Sequence, residues 1–221
     1  MERQVLLDKL SEFLMVEQGG LELYRVAASR AEIPELRQRY EEFGRQTARH
    51  REVLTRLIQQ LGGDPNYVSP TARAAQVKAA KLVESALVVD GLAPIEIQIS
   101  DLENVLLAET KDHADWQLLS QLATQPIDDA VKQAVAAAVK EVEQEEDRHV
   151  EWARQTLGQL CLQMVTQGPA PSPERWMMVT SGPVPPIETL NPSPVLDGLL
   201  PPAKEPAWQE ATVARAMRAG A

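Results

Sequence analysis

The sequence predicts an all-α protein: a four-helix bundle with a helical crossover and a Pro-rich C-terminal tail. Three observations carry this. Only five of the sixteen prolines, at positions 34, 65, 70, 94 and 126, precede residue 168, and they leave long proline-free segments. Within those segments apolar residues recur at steps of three and four, the period of one helix face. Aromatic residues make up only 4% of the chain, while Ala, Leu, Val, Glu, Gln and Arg abound, a composition that favours helix over strand.

The first segment runs from about residue 3 to Ser29, with the stripe Leu10, Leu14, Glu17, Leu21, Tyr24, Ala28. The second runs from Pro34 to Leu61, with Leu36, Tyr40, Phe43, Thr47, His50, Leu54, Leu57 and Leu61 in heptad steps. Gly62 and Gly63 follow as a C-terminal stop. After the turn-rich GGDPNYVSP, Thr71 to about Val89 reads as a shorter crossover helix, ended by Asp90 and Gly91. The third long segment, Pro94 to about Ala123, carries Ile95, Ile99, Leu102, Leu106, Glu109, His113 and Trp116. The fourth starts near Pro126 and reaches about Thr166. Two helical hairpins joined by a long connection give a four-helix bundle with one crossover. The expected domains are a bundle over 1–167 and an extended tail over 168–221. That tail holds eleven prolines and is expected to drape over the bundle or a neighbouring subunit, with a short helix from about Pro206 to Arg218.

The formal net charge of -10 argues against nucleic acid or an anionic membrane surface as a partner. The single cysteine, Cys161, excludes a disulfide framework, a Cys-rich zinc site and a rubredoxin-type iron centre within one chain. It is expected to be a buried small hydrophobe. The opening MERQVLLDKLSEFL has charges at every turn, unlike a signal peptide. No apolar run approaches membrane-spanning length. The expectation is a cytoplasmic protein without a membrane partner.

The chemistry centres on Val135 to Leu160, where Val139, Val142, Glu146, His149 and Ala153 form one face. A carboxylate and an imidazole sit in the middle of an otherwise apolar stripe. Burying such a pair without a purpose is costly, and together they can bind a metal ion. The chain also repeats itself. An offset of 92 pairs Leu10 with Leu102, Leu14 with Leu106, Glu17 with Glu109 and Tyr24 with Trp116. An offset of 99 pairs Tyr40 with Val139, Phe43 with Val142, Thr47 with Glu146 and His50 with His149. Each half puts a Glu inside on its first helix and a His inside on its second.

This pattern resembles the ferritin-like superfamily, above all its rubrerythrin-like and manganese-catalase-like branches. VEQGGLELY and YEEFGRQTARHREVLTRLIQQLGG resemble that family's first two helices. AETKDHADWQLL and EQEEDRHVEWA resemble its third and fourth, so that the likeness covers most of residues 3 to 165. The family places a Glu on helices one and three, and Glu-x-x-His on helices two and four, around two metal ions. The resemblance therefore implies Glu17, His50, Glu109, Glu146 and His149 as ligands. Thr47 stands where the family has its second-helix Glu, so the implied centre is asymmetric. His113, four residues after Glu109, is an added candidate ligand about one turn off the layer. Asp112 and Glu145 lie beside the stripe as supporting groups.

The implied cofactor is iron or manganese, dinuclear by the family template. Zinc also suits carboxylate and imidazole donors, whose softness does not choose among these metals. The implied function is metal-dependent oxidoreductase chemistry on oxygen, peroxide or Fe(II), with a link to oxidative stress and with metal ions as partners. The alternative is a bundle that keeps the fold, has an incomplete metal site and acts in structure, stress or assembly. Homo-oligomerisation through the bundle or the tail is expected in either case.

Overall fold

Among the described residues, proline sets three of the five helix starts. The computed structural model describes residues 3–88 and 90–168. Its elements are α1 (Arg3–Arg30), α2 (Pro34–Gln60), α3 (Pro70–Ala86), α4 (Pro94–Leu122) and α5 (Asp129–Gln167). Pro34, Pro70 and Pro94 each open a helix, where the missing N–H has no intrahelical partner to lose. Pro126 does not open α5. Asp128 caps that helix instead, accepting from Ala130 N at 3.0 Å and Val131 N at 3.1 Å, and a cap of this kind outcompetes a proline two residues upstream. The crossover helix α3 ends at Ala86, short of the expected Val89. The expected tail beyond Gly168, with its terminal helix, lies outside the described residues.

α1 and α2 form one antiparallel hairpin and α4 and α5 the other; α1 packs on α4, α2 on α5, and α3 covers α1 and α4. The 62–70 connection is pinned to α1. Ser11 Oγ donates to Tyr67 O at 2.6 Å and accepts from Ser69 N at 3.1 Å. Ser69 Oγ donates to Asp8 O at 2.9 Å and caps α3 by accepting from Ala72 N at 3.1 Å. Gly62, at φ +74°, takes the left-handed conformation that terminates α2.

The apolar interior is in two parts. One holds Leu10, Phe13, Leu54, Leu57, Leu119 and Val142, among others. The other holds Leu23, Tyr24, Tyr40, Phe43, Leu102 and Ala153. Each long helix also places buried polar residues between these clusters, among them Glu17 on α1, Thr47 and His50 on α2, Glu109 and Asp112 on α4, and Glu146 and His149 on α5. Each large apolar side chain so buried stabilises the fold by about 1.5–3 kcal/mol, and together they hold the polar layer away from water. Cys161 is half-buried against the second cluster.

The crossover helix lies so close to α1 that a Cβ added to Gly19 would meet Ala79 Cβ at 2.3 Å. Gly19→Ala is therefore expected to destabilise the protein by about 2 kcal/mol through overpacking. Thermal unfolding should show a drop of about 4–8 °C, and pairing the change with Ala79→Gly should restore most of it.

Candidate metal centre

Seven polar side chains meet in the middle layer. Glu17, His50 and His149 are 0% exposed, Thr47 and Glu146 1%, Glu109 2% and Asp112 5%. Two groups of ligand atoms form there: Glu17, His50 and Glu146, and Glu109, Glu146 and His149. Within each group the atoms lie within 4.8 Å of one another, and Glu146 belongs to both.

The close approaches bring atoms able to hold a metal ion to within reach of one another. His50 Nδ1 lies 2.7 Å from Glu146 Oε1, yet neither atom makes a hydrogen bond. Ligands at right angles on one metal, with bonds of about 2.1 Å, stand about 3 Å apart by the same geometry. His149 Nδ1 lies 3.2 Å from Glu109 Oε2 and 3.9 Å from Glu146 Oε1. His50 Nδ1 lies 3.9 Å from Glu17 Oε1. Glu17 Oε2, both Glu146 oxygens and Asp112 Oδ1 are buried and unpartnered.

Both imidazoles present Nδ1 inward because Nε2 is held from behind. His50 Nε2–H donates to Glu145 Oε2 at 2.9 Å, and His149 Nε2–H donates to Gln46 Oε1 at 2.7 Å. A donor role for Nε2 leaves Nδ1 as the lone-pair atom, the arrangement that outer partners impose on metal-binding histidines. Burial pushes the Glu145 carboxyl up, but bonds from Arg49 and His50 outweigh this and hold it below its ordinary value. It is therefore a charged acceptor. The carboxylates are held in the same way: Tyr24 Oη donates to Glu109 Oε1 at 2.7 Å, and Trp116 Nε1 donates to Glu17 Oε1 at 2.9 Å.

These supports cross between the two halves of the repeat. Tyr24 and Trp116, an equivalent pair, each hold the other half's Glu. Gln46 and Glu145, equivalent at the offset of 99, each hold the other half's His. The exchange is unequal in one respect, since His50 leans on a carboxylate and His149 on an amide.

The layer is dense in negative charge. Burial, then the neighbouring Asp112, pushes the Glu17 carboxyl well up. Burial and then Glu146 do the same to Asp112, and burial and then Glu109 to Glu146. Burial lowers His50 to about 4, with His149 adding to the effect. Four ionised carboxylates, Glu17, Glu109, Asp112 and Glu146, would carry four negative charges in a layer at most 5% exposed. Two divalent cations cancel that charge, and protons are the alternative.

Of the residues singled out in the sequence, Glu17, His50, Glu109, Glu146 and His149 come together. His113 joins neither group. Four positions past Glu109 it has climbed one turn, and it leaves the layer at the α4–α5 seam, with Nδ1 3.7 Å from Asp147 Oδ1. Asp112 is the residue that the stripe undervalued. Three positions after Glu109 on the same face, it is buried in the layer, and its charge adds to the upward push on the Glu17 carboxyl. Glu145 supports His50 across the bundle, not His149 on its own helix. Thr47 turns its methyl toward α1, where a Cβ on Gly20 would meet Thr47 Cγ2 at 3.5 Å.

The family model for rubrerythrin matches residues 8–157. The chain belongs to the rubrerythrin family. Rubrerythrins are ferritin-like proteins, and the five-helix order with no strand among the described residues agrees with that membership. Comparison with curated proteins and with solved structures gives no match. In this rubrerythrin-family bundle the buried carboxylate and histidine groups are able to hold metal. No described helix is long and apolar enough to cross a membrane.

The buried charges make the metal-free protein sensitive to pH. Glu17, Asp112 and Glu146 titrate above their ordinary values, so the folded state keeps protons that the unfolded chain releases. Stability then falls as pH rises above the unfolded values of 4.5 for Glu and 3.8 for Asp. His50, lowered to about 4 from 6.5, acts in the opposite sense only between those two values. Above pH 6.5 the carboxylates act alone. Thermal unfolding in chelator should therefore show a melting temperature that declines toward pH 8, and saturating Mn(II) should flatten the decline.

Proposed function

We propose that this protein holds two divalent metal ions, iron or manganese, and uses them in redox chemistry on oxygen, peroxide or Fe(II). The observation that carries the reading is Glu146, which takes part in both groups of ligand atoms. On this reading Glu17 and His50 would hold one ion, Glu109 and His149 would hold the other, and Glu146 would serve both. Asp112 supplies the fourth carboxylate in place of the one lost at Thr47. A bound pair of such ions supplies Lewis acidity and the electrons that an O–O bond takes up on reduction.

The protein's own part is positional. Trp116 and Tyr24 fix the outer carboxylates, and Glu145 and Gln46 fix the imidazole tautomers. The flanking apolar clusters keep out bulk water, which strengthens every charge interaction inside. Phe43, with its ring centroid 4.1 Å from that of His149, closes one side of the layer. Cys161, the lone cysteine, leaves this chain without a rubredoxin-type electron donor. Oxidation of Fe(II) and dismutation of peroxide, which need no such donor, fit best.

Metal analysis of the purified protein tests the reading. About two ions per chain are expected, as a dinuclear template requires. Glu146→Ala with His149→Ala should remove both, and a folded wild-type protein that takes up no iron or manganese sinks the proposal.

A second reading rests on Thr47. With that methyl packed toward Gly20, α2 contributes only His50, and the bundle would hold one ion and serve in structure, stress response or assembly. One ion per chain with no turnover of peroxide or Fe(II) supports it, and Thr47→Glu would then raise the stoichiometry. The 168–221 tail belongs to the proposal as a homo-oligomerisation arm; truncation after Gly168 should lower the mass seen by light scattering.

A further inference from the structure

The buried layer needs a route by which cations reach it, and a cleft between α4 and α5 leads there. The cleft has a volume of about 320 Å3, and Trp116 and Glu146 are among the residues that line it. Glu146 is 1% exposed and both its oxygens are unpartnered, so a buried ligand without a partner lines an opening to the surface. Nearer the surface stand His113, Glu143 and Asp147. Glu143 and Asp147 are exposed. His113 has a side-chain exposure of 24%, and its Nδ1 is buried and unpartnered, 3.7 Å from Asp147 Oδ1.

These residues form steps toward the centre. Glu143, Glu146 and Asp147 lie three and four apart on α5, hence on one face. His113 faces them from α4, with Nε2 2.7 Å from the Gln117 amide. That amide can present either end, so it can accept from Nε2 and leave Nδ1 as a lone-pair donor. The residues lining the cleft include three carboxylates and no lysine or arginine. A neighbouring depression of about 690 Å3 shares His113 and Asp147 but is lined by Arg39, Arg148 and Arg154. That depression also holds Glu151, so its charges are mixed, whereas those of the cleft are all acidic and draw cations in.

We infer that His113, Asp147 and Glu143 form a transient divalent-cation site that receives metal from solvent and passes it down the cleft to Glu146. The site takes hydrated first-row dications, exchanging their waters for one imidazole and carboxylate oxygens. No bond other than metal–ligand bonds changes and no electron moves. This rests on the metal-centre reading. It also gives His113 a task that does not require it to be a resident ligand.

The test is the rate of Co(II) uptake by the metal-free full chain, followed by stopped-flow visible absorbance. His113→Ala with Asp147→Asn is expected to slow uptake about tenfold while final Co(II) per chain stays at the wild-type value. Ser120→Trp, which fills the cleft from α4 and leaves every carboxylate in place, should also slow it. Arg148→Ala, on the other depression, should not. Unchanged rates in the first two variants overturn the inference. So does a lowered final stoichiometry in the His113 variant, which makes that residue a resident ligand. Wild-type protein that binds no Co(II) defeats the metal-centre reading along with the cleft, whereas wild-type binding with unaltered variant rates defeats the cleft alone.

Discussion

Four carboxylates buried between two apolar clusters are the constraint on which this structure depends. Glu17, Glu109, Asp112 and Glu146 stand together, each at most 5% exposed. Ionised carboxylates in such surroundings repel one another and lose their hydration, and the few donors that reach them do not make up that cost. Either protons or cations must neutralise them, so the layer is a store of binding free energy for positive charge. The large apolar area on either side holds it together, and a less extensive core would open to solvate the charges.

The supports around the layer are built for direction as much as for strength. Each imidazole is turned by a partner from the opposite half of the repeat, and each outer Glu by an aromatic donor from the opposite half. The two helical hairpins are therefore clasped through the site itself. A change at Gln46 or Glu145 acts on the histidine of the other hairpin, a coupling that inspection of single helices does not suggest. His50 thus has a charged acceptor behind it, Glu145, where His149 has a neutral one, Gln46. The two halves of the centre are thus inequivalent even apart from Thr47.

Asymmetry also marks the approach to the layer. The α4–α5 seam has an acidic opening on one side and an arginine-lined depression on the other, with His113 and Asp147 between them. No equivalent of His113 exists in the first half of the repeat, where Leu21 occupies the corresponding position. Duplication accounts for the buried Glu and His of each half; the seam is particular to the second half.

Much of this protein was legible in its sequence. Proline spacing and a 3.6-residue period determined four long helices and a crossover, because those signals are local and each helix follows from its own residues. The repeat picked out Glu17, His50, Glu109, Glu146 and His149 as inward-facing, since a polar residue in an apolar stripe has one place to go. Only the tertiary structure decided what these residues face. Asp112 and Glu145 lay off the stripe by a fraction of a turn, and whether such a flanking residue points into the layer, across it or out of it depends on the rotation of the whole helix against its neighbours. His113, on the stripe, left the layer because one turn along α4 moves a side chain about 5.4 Å, past the edge of the layer. Helix period is a property of one segment, whereas convergence on a common point is a property of four segments packed together.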